Sequence, residues 1–234
     1  MSTNPLLSVV IPTYNRSAML DRAIASALRA AADGDVEVVV VPNGPHSGWK
    51  SIRDKYQSDD RVKWFPVNQA HACVARNHGL DNAKGSYIRF LDDDDYLLPA
   101  AATQLHRLKT SNIDASIAPL IVYDQANDSE SFQALPATDD FVCASLLSMD
   151  INNMTAGSIF SRNFIGSHRW REDVILYDDY IWLVTLSDDG DVDILREDFP
   201  VGMYVQHDSE RLSRVKRTHK NSKMLVDAIL CLHQ

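Results

Sequence analysis

Cysteine is scarce in this chain: 3 in 234 residues (Cys73, Cys143 and Cys231), odd in number and scattered. That set excludes a disulfide framework and any zinc-ligand spacing, and it fits packing roles in a reducing compartment. Positive charge is in the minority, with 23 Lys and Arg against 32 Asp and Glu and a formal net charge of −9. The balance excludes a general nucleic-acid binder, which would carry a basic surface. Long apolar runs are missing as well; the longest are strand-sized, far short of the about 20 residues of a bilayer-crossing helix. Residues 1–7 show no charged stretch leading into an apolar one, so no secretory leader is expected. No internal repeat and no low-complexity segment is visible. The expectation is a soluble, cytoplasmic protein.

What is present is enough apolar material, 45% of residues, for a substantial core. Residues 7–12 read as a strand, followed by Met19, Ile24, Ala27 and Leu28 at helical spacing. Residues 36–41 are a near-continuous valine run, the kind buried on both faces of a parallel sheet. A partly helical stretch over 48–58 leads to a short strand at 62–65. A helix over 70–83 follows, with Gly85 as its expected stop. Residues 87–91 form the next strand, and Pro99 opens a helix to about residue 110. Residues 115–122 are again strand-like. This alternation predicts βαβ units and an α/β fold with a mostly parallel sheet. The second half is less regular: a polar surface loop over 124–136, a short helix over 139–148 and a strand over 154–160. A buried helix over 180–186 and late strands over 192–195 and 201–205 complete it. Met224, Leu225, Ile229 and Leu232 predict an amphipathic terminal helix.

The densest chemical signal is YIRFLDDDDYLLP, residues 87–99, where a strand delivers Asp92, Asp93, Asp94 and Asp95 at its C-terminal end. Adjacent like charges repel, and hard divalent cations such as Mg²⁺ and Mn²⁺ prefer carboxylate oxygens. Side chains two apart on an extended backbone share a side, so Asp92 and Asp94 can converge on one ion. The competing reading is a solvated acidic turn. Position favours the ion, because open α/β sheets bind ligands at the C-terminal ends of their strands.

Three motifs in order resemble the family 2 glycosyltransferases. They are SVVIPTYNR (residues 8–16), NQAHACVARNHGLDNAKGSYIRFLDDDDYLLP (68–99) and LYDDYIWLVTL (176–186). The resemblance runs over roughly residues 7–205. It implies the GT-A fold: a Rossmann-like, mostly parallel central sheet flanked by helices, with a smaller acceptor-side region. The whole of 1–234 would be one such domain. About 1–98 would hold a nucleotide sugar, about 99–210 would face the acceptor, and about 211–234 would form a basic, amphipathic helix. It also implies inverting, metal-dependent transfer from a nucleoside diphosphate sugar, most commonly a UDP-sugar, to an acceptor hydroxyl. The metal would be Mn²⁺ or Mg²⁺ and the acceptor a carbohydrate or lipid-linked saccharide, in bacterial-type polysaccharide or glycolipid assembly.

Carried onto this sequence, the resemblance makes Asp94 and Asp92 the metal carboxylates. Asp95 is a second ligand or a turn acceptor, and Asp93, in the motif's variable position, faces solvent. Asp179 is the expected general base and Asp178 its fallback; adjacent acids at a helix start would also arise simply to complement the helix N-terminus. Arg76 would meet the donor diphosphate, or pair with a nearby aspartate. Pro12, Thr13, Tyr14, Asn15 and Arg16 form the loop after the first strand, with Tyr14 packing on a base, Thr13 backbone groups near the ribose, and Arg16 either in the site or an exposed charge. His207 would complete the metal site or serve as a structural histidine. Arg211, Arg214, Lys216, Arg217, Lys220 and Lys223 are a solvated helix face or a patch for an anionic lipid at the inner face of a membrane. Oligomerisation is open.

The departure is VVPNGP, which puts Pro42 and Asn43 where the family pattern offers acids to the nucleoside. Asn43 brings a donor as well as an acceptor. Two other readings stand beside transfer. A nucleotidyltransferase would need a glycine-rich, basic loop after the first strand, and VIPTYNRS has no glycine. A degenerate protein that binds sugar nucleotides without turnover would be consistent with Pro42 and Asn43, but retained Asp94 and Asp179 argue against it.

Overall fold

The computed structural model describes residues 4–31, 35–111, 113–135, 154–174, 178–186 and 193–207. The first half alternates as expected: β1 (Leu7–Thr13), α1 (Ser17–Ala27), β2 (Val36–Pro42), α2 (Trp49–Lys55), β3 (Val62–Trp64), α3 (Ala72–Asn82) and β4 (Tyr87–Phe90). Then come β5 (Tyr96–Leu97), α4 (Ala100–Ser111), β6 (Ala115–Ile117), β7 (Leu120–Asp124) and β8 (Ser129–Gln133). The remainder is α5 (Met154–Gly157), β9 (Ser158–Ser161), α6 (Arg162–Ile165), α7 (Asp178–Leu186), β10 (Ile194–Arg196) and β11 (Gly202–Gln206).

A seven-stranded sheet runs β10-β6-β9-β4-β1-β2-β3, and only β9 lies antiparallel to its neighbours there. Every residue of β1 and β2 is buried. Alternate residues serve opposite layers. Val9, Ile11, Val38 and Val40 pack with Leu20 and Ile24 of α1 and Leu105 and Leu108 of α4. Val10, Val39 and Val41 pack with Cys73 and Leu80 of α3 and Trp182 and Leu186 of α7. Helices on both faces explain why the valine run does not alternate with polar residues. Because β1, β2 and β4 are parallel, their C-terminal ends open on one edge, and the acidic motif lies there.

The four-stranded sheet, β5-β11-β7-β8, was not legible as a second sheet. The expected single strand over 115–122 is two, β6 in one sheet and β7 in the other. Pro119 stands between them; it has no N–H for a ladder, and its carbonyl accepts from Val201 N. The expected loop over 124–136 is largely a hairpin. Asp124 Oδ1 accepts from Ala126 N and Asn127 N to form the turn, and β8 returns along β7 as a mostly exposed strand. With both faces wet, its sequence SESFQ lacks the alternation that marks a half-buried strand. Within 154–160, the first four residues are a helical turn and only the rest is strand. Among the described residues no helix is long and apolar enough to cross a membrane. The expected helix over 139–148, Val192 and the basic terminal helix over 211–234 lie outside the described residues, as do Cys143 and Cys231.

Two glycines seat α3. A Cβ at Gly79 would stand 2.4 Å from Val10 Cγ1, so the helix lies directly on the sheet. Gly85 is not the helix stop expected of it: α3 ends at Asn82, and Gly85 lacks the positive φ of such a stop. It is glycine because a Cβ would lie 2.5 Å from Ser8 N, a backbone atom, and Gly85 N donates to Ser8 Oγ at 2.7 Å. Backbone cannot rotate away as a side chain can, so Gly85→Ala should cost about 3 kcal/mol, the upper end of ordinary overpacking. Urea unfolding should show the midpoint falling at an unchanged slope; an unshifted midpoint would rule out this close approach.

Candidate active site

The register of β4 on β1 decides what meets at the sheet edge. Val10 pairs with Phe90, and Leu91 N donates to Val10 O. β1 therefore runs three residues past that pairing, and its loop overhangs the acidic motif. The four carboxylates then diverge to different surroundings, with Arg16 shared by Asp93 and Asp94.

Asp92, partly exposed, accepts from Arg76 Nη2 at 2.9 Å. Asp93 turns inward: its Oδ2 accepts from Thr13 Oγ1 at 2.7 Å and Tyr14 N at 3.3 Å, and its Oδ1 from Arg16 Nη1 at 3.2 Å. Asp94 Oδ2 accepts from Arg16 Nη1 at 2.8 Å and lies 2.9 Å from His207 Nε2. Asp95, fully buried, accepts from Val205 N at 2.9 Å and so joins β4 to β11. The expectation that Asp93 faces solvent is thus overturned, because it is 4% exposed and the β1 loop offers it three donors. Arg16 is likewise no free surface charge.

Arg76 is the bridge of the site. Its helix places it under the β4 end, where Nη2 meets Asp92 and Nη1 meets Asp178 Oδ2 at 2.5 Å. The guanidinium lies 4.5 Å over the Trp170 ring, which stacks on Trp182 at 4.8 Å. Asn77, one residue along, clamps that floor: its Oδ1 accepts from Trp170 N, and its Nδ2 donates to Trp170 O and Glu172 Oε1. The salt-bridge reading of Arg76 therefore holds, and it places the residue between Asp92 and Asp178. Asp179 follows in the first turn of α7, half-buried, with Oδ1 accepting from Tyr180 N at 2.9 Å. Leu176 and Tyr177 of that motif lie outside the described residues.

Electrostatics follows this crowding. Burial pushes the Asp93 carboxyl up to about 7; Arg16 opposes the rise and Asp94 adds to it. Burial also lifts Asp179 above its ordinary 3.8, and the charge of Asp178 lifts it further, while the Tyr180 N–H opposes. Burial works against the charge on Arg76, yet Asp92 and Asp178 outweigh it and raise its pKa. The same contest, with Asp93 and Asp94 as the winning charges, raises Arg16.

Oxygens of Asp92, Asp94 and Asp95 lie within 4.8 Å of one another. An all-carboxylate set of this size suits Mg²⁺ or Mn²⁺, and His207 stands beside it. In the loop expected to meet a nucleoside, Pro12 is buried in β1, Tyr14 is 47% exposed with its ring edge-to-face with His46, and Asn15 is exposed at φ 53. Asn43 is pinned: its backbone N and its Nδ2 both donate to Thr13 O, at 2.9 and 3.0 Å. Sequence reasoning missed Trp170, Asn77 as its clamp, Cys73, whose thiol lies 3.6 Å from Asp178, and Arg22, which donates to Asp94 O at 2.6 Å. The one usable sign was a tryptophan inside the charged stretch HRWRED.

Comparison with known proteins supplies an independent view. The family described as Glycosyl transferase family 2 matches residues 8–164. A GalNAc(5)-diNAcBac-PP-undecaprenol beta-1,3-glucosyltransferase of Campylobacter jejuni is 33% identical over 132 residues, covering 55% of this chain and 42% of that protein. The poly(ribitol-phosphate) beta-N-acetylglucosaminyltransferase TarP of Staphylococcus aureus is 32% identical over 115 residues, covering 47% of this chain and 35% of that one. The chain thus spans less than half the length of these two relatives. Among solved structures, S. aureus TarS 1–349 in complex with UDP-GlcNAc aligns over 97% of this chain and 66% of its own. The TM-score is 0.78 at 17% identity, a shared GT-A fold.

Removing the bridge should be costly. Arg76→Ala strands Asp178 beside Asp92. The loss should be about 2–3 kcal/mol, below the about 3–5 of a fully buried pair because Asp92 keeps 35% of its side chain exposed. Chemical denaturation of the variant measures it directly, and a loss under about 0.5 kcal/mol would show the pair to be no more than an exposed one.

Proposed function

Because this chain belongs to glycosyl transferase family 2, we propose that it is an inverting, metal-dependent transferase moving one sugar from a UDP-sugar to an acceptor hydroxyl. The observation that carries the reading is the two-sided hold of Arg76, with Asp92 of the acidic motif on one side and Asp178 of the α7 acid pair on the other. Donor-side and acceptor-side carboxylates are thereby set around one guanidinium at the C-terminal edge of a parallel sheet.

Asp92 and Asp94 are the residues to hold Mn²⁺ or Mg²⁺, with Asp95 or His207 beside them; the ion's chemistry there is neutralisation of the departing diphosphate. Arg76 adds fixed positive charge on the same side. Asp179 takes the proton from the acceptor hydroxyl as its oxygen attacks the anomeric carbon. The bond from that carbon to the diphosphate breaks, and UDP leaves with the electron pair. A single displacement of this kind inverts the anomeric configuration. A raised Asp179 pKa makes it a better base than an ordinary carboxylate. Positioning and preorganised charge would supply most of the acceleration.

Several features support the finer parts. With its NH₂ committed to Thr13 O, Asn43 presents its carbonyl oxygen as the group to meet a base N–H, as uracil requires. Tyr14 offers an exposed ring beside it, and the fold is shared with a protein that holds UDP-GlcNAc. The relatives' names specify a PP-undecaprenol-linked saccharide and a poly(ribitol-phosphate). We therefore assign this chain a phosphate-bearing, lipid-linked or polymeric glycan acceptor in bacterial-type polysaccharide assembly. On this reading about 1–98 bind the donor and about 99–210 face the acceptor. The work would be done in the cytoplasm at the inner membrane face.

A thermal-shift series with UDP, GDP, dTDP, ADP and CMP, each with and without Mn²⁺, tests the donor. UDP with Mn²⁺ should raise Tm selectively, since a ligand at 100 times its Kd stabilises by about 2.7 kcal/mol. No shift with any nucleotide would favour a degenerate protein. Asp94→Asn should lose the Mn²⁺ dependence and turnover together. Asp179→Asn should abolish transfer with the UDP shift intact; normal turnover in that variant would remove Asp179 as base. The sign of the pH dependence follows from the raised pKa: the proton is held to higher pH, so kcat/KM should climb with pH along a limb above 3.8. A limb at the ordinary position would assign the base elsewhere.

A further inference from the structure

One oxygen of the acidic motif is doubly used. Asp94 Oδ2 is 2.8 Å from Arg16 Nη1 and 2.9 Å from His207 Nε2, and it belongs to one of the three carboxylates grouped closely enough for a divalent ion. A guanidinium and a metal cannot share that lone-pair direction, and their charges repel. The two neighbours differ in freedom. The His207 side chain is 2% exposed, whereas that of Arg16 is 27% exposed. The Arg16 backbone is nevertheless fixed at the start of α1, where its carbonyl accepts from Met19 N and Leu20 N. A fixed backbone and a partly exposed side chain describe an arm that can swing without disturbing the helix. Departure would give up the bond to Asp93 Oδ1 but leave Asp93 Oδ2 held by Thr13 Oγ1 and Tyr14 N.

We propose that Arg16 is a resident counter-ion which occupies the metal seat of Asp94 in the free protein and must leave it before a divalent cation can enter. Entry is an exchange of one positive charge for two, so the apparent affinity for the bare ion is held down by the bond that must break. The displaced guanidinium remains within a side chain's length of the acidic motif. There it can pair with the incoming diphosphate, which would make donor and metal favour each other's binding. Arg16 is thus a positioning residue, acting on the metal through Asp94. The inference rests on the assignment of Asp94 as a metal carboxylate.

The test is Mn²⁺ binding to the full chain without nucleotide, followed by the electron paramagnetic resonance signal of the free ion at low ionic strength. Wild type, Arg16→Ala, Arg16→Gln and Asp94→Asn are compared, with near-UV circular dichroism to establish folding. Arg16→Gln keeps amide donors for Asp93 and Asp94 without the charge, so it remains informative should the alanine variant fail to fold. The expected result is a Kd for Mn²⁺ at least ten-fold lower in the folded Arg16 variants than in wild type, with binding lost in Asp94→Asn. Tighter binding is a gain that damage to the fold would not produce. Asp94-dependent binding of equal or lower affinity in the Arg16 variants would overturn the exchange while leaving the metal assignment standing. Binding that is absent throughout, or indifferent to Asp94→Asn, would overturn the assignment and the exchange with it.

Discussion

Four aspartates in a row at the end of a buried strand set the problem that the surrounding chain solves. At an effective dielectric of about 20, two unit charges 4 Å apart repel by about 4 kcal/mol, a large fraction of a domain's stability. The solution is dispersal. Asp92 goes to Arg76 on α3, Asp93 to the β1 loop, Asp94 to Arg16 and His207, and Asp95 to the backbone of β11. Each carboxylate is thereby a tether between β4 and another element. The small sheet, the β1 loop and α3 are drawn to the same edge by that need.

The same constraint explains why some of the architecture was readable from the residues and some was not. The valine run of β2 and the apolar residues of β1 report burial on both faces, and burial is what composition encodes best. Asp92 and Asp94 stood out because carboxylates crowded at a strand end need a cation, whereas Arg76 and His207 came only with the family resemblance. Asp93 was misplaced because the motif's pattern does not say which way a carboxylate turns; three donors from residues about 80 positions earlier decide that. Pro119 looked like a residue inside one strand, and only the long-range bond from Val201 N shows the chain changing sheets there. β8 was unreadable for a simpler reason: an edge strand wet on both faces has no apolar period to detect. Trp170 is a case of the same kind, recruited by Asn77 from 93 residues away.

The likeness to TarS at 17% identity shows how little of the sequence a shared fold demands. The departure from the family pattern, Pro42 and Asn43, falls at the C-terminal ends of β1 and β2. Pro42 closes β2, and Asn43 donates to Thr13 O from both its backbone N and its Nδ2, so the first two strands are tied together beyond the end of their regular ladder. An acid at that position could not donate this second bond. The substitution thus exchanges a charge for rigidity, and it keeps an acceptor pointed away from β1.

The floor beneath Arg76 has an optical consequence. Trp170 and Trp182 lie ring on ring at 4.8 Å and 6°, with the edge of Phe90 against both. Trp49 and Trp64 form a second near-parallel stack at 5.7 Å and 20°. All 4 tryptophans of the chain are therefore in coupled pairs, and each pair carries a guanidinium on a face, Arg53 at 5.5 Å over Trp49 and Arg76 at 4.5 Å over Trp170. The excited state of an indole responds to a charge held that close, so the emission of Trp170 is tied to the two carboxylates that fix Arg76 above it. The chain carries its own gauge of the charge around Arg76, built from chromophores already in place.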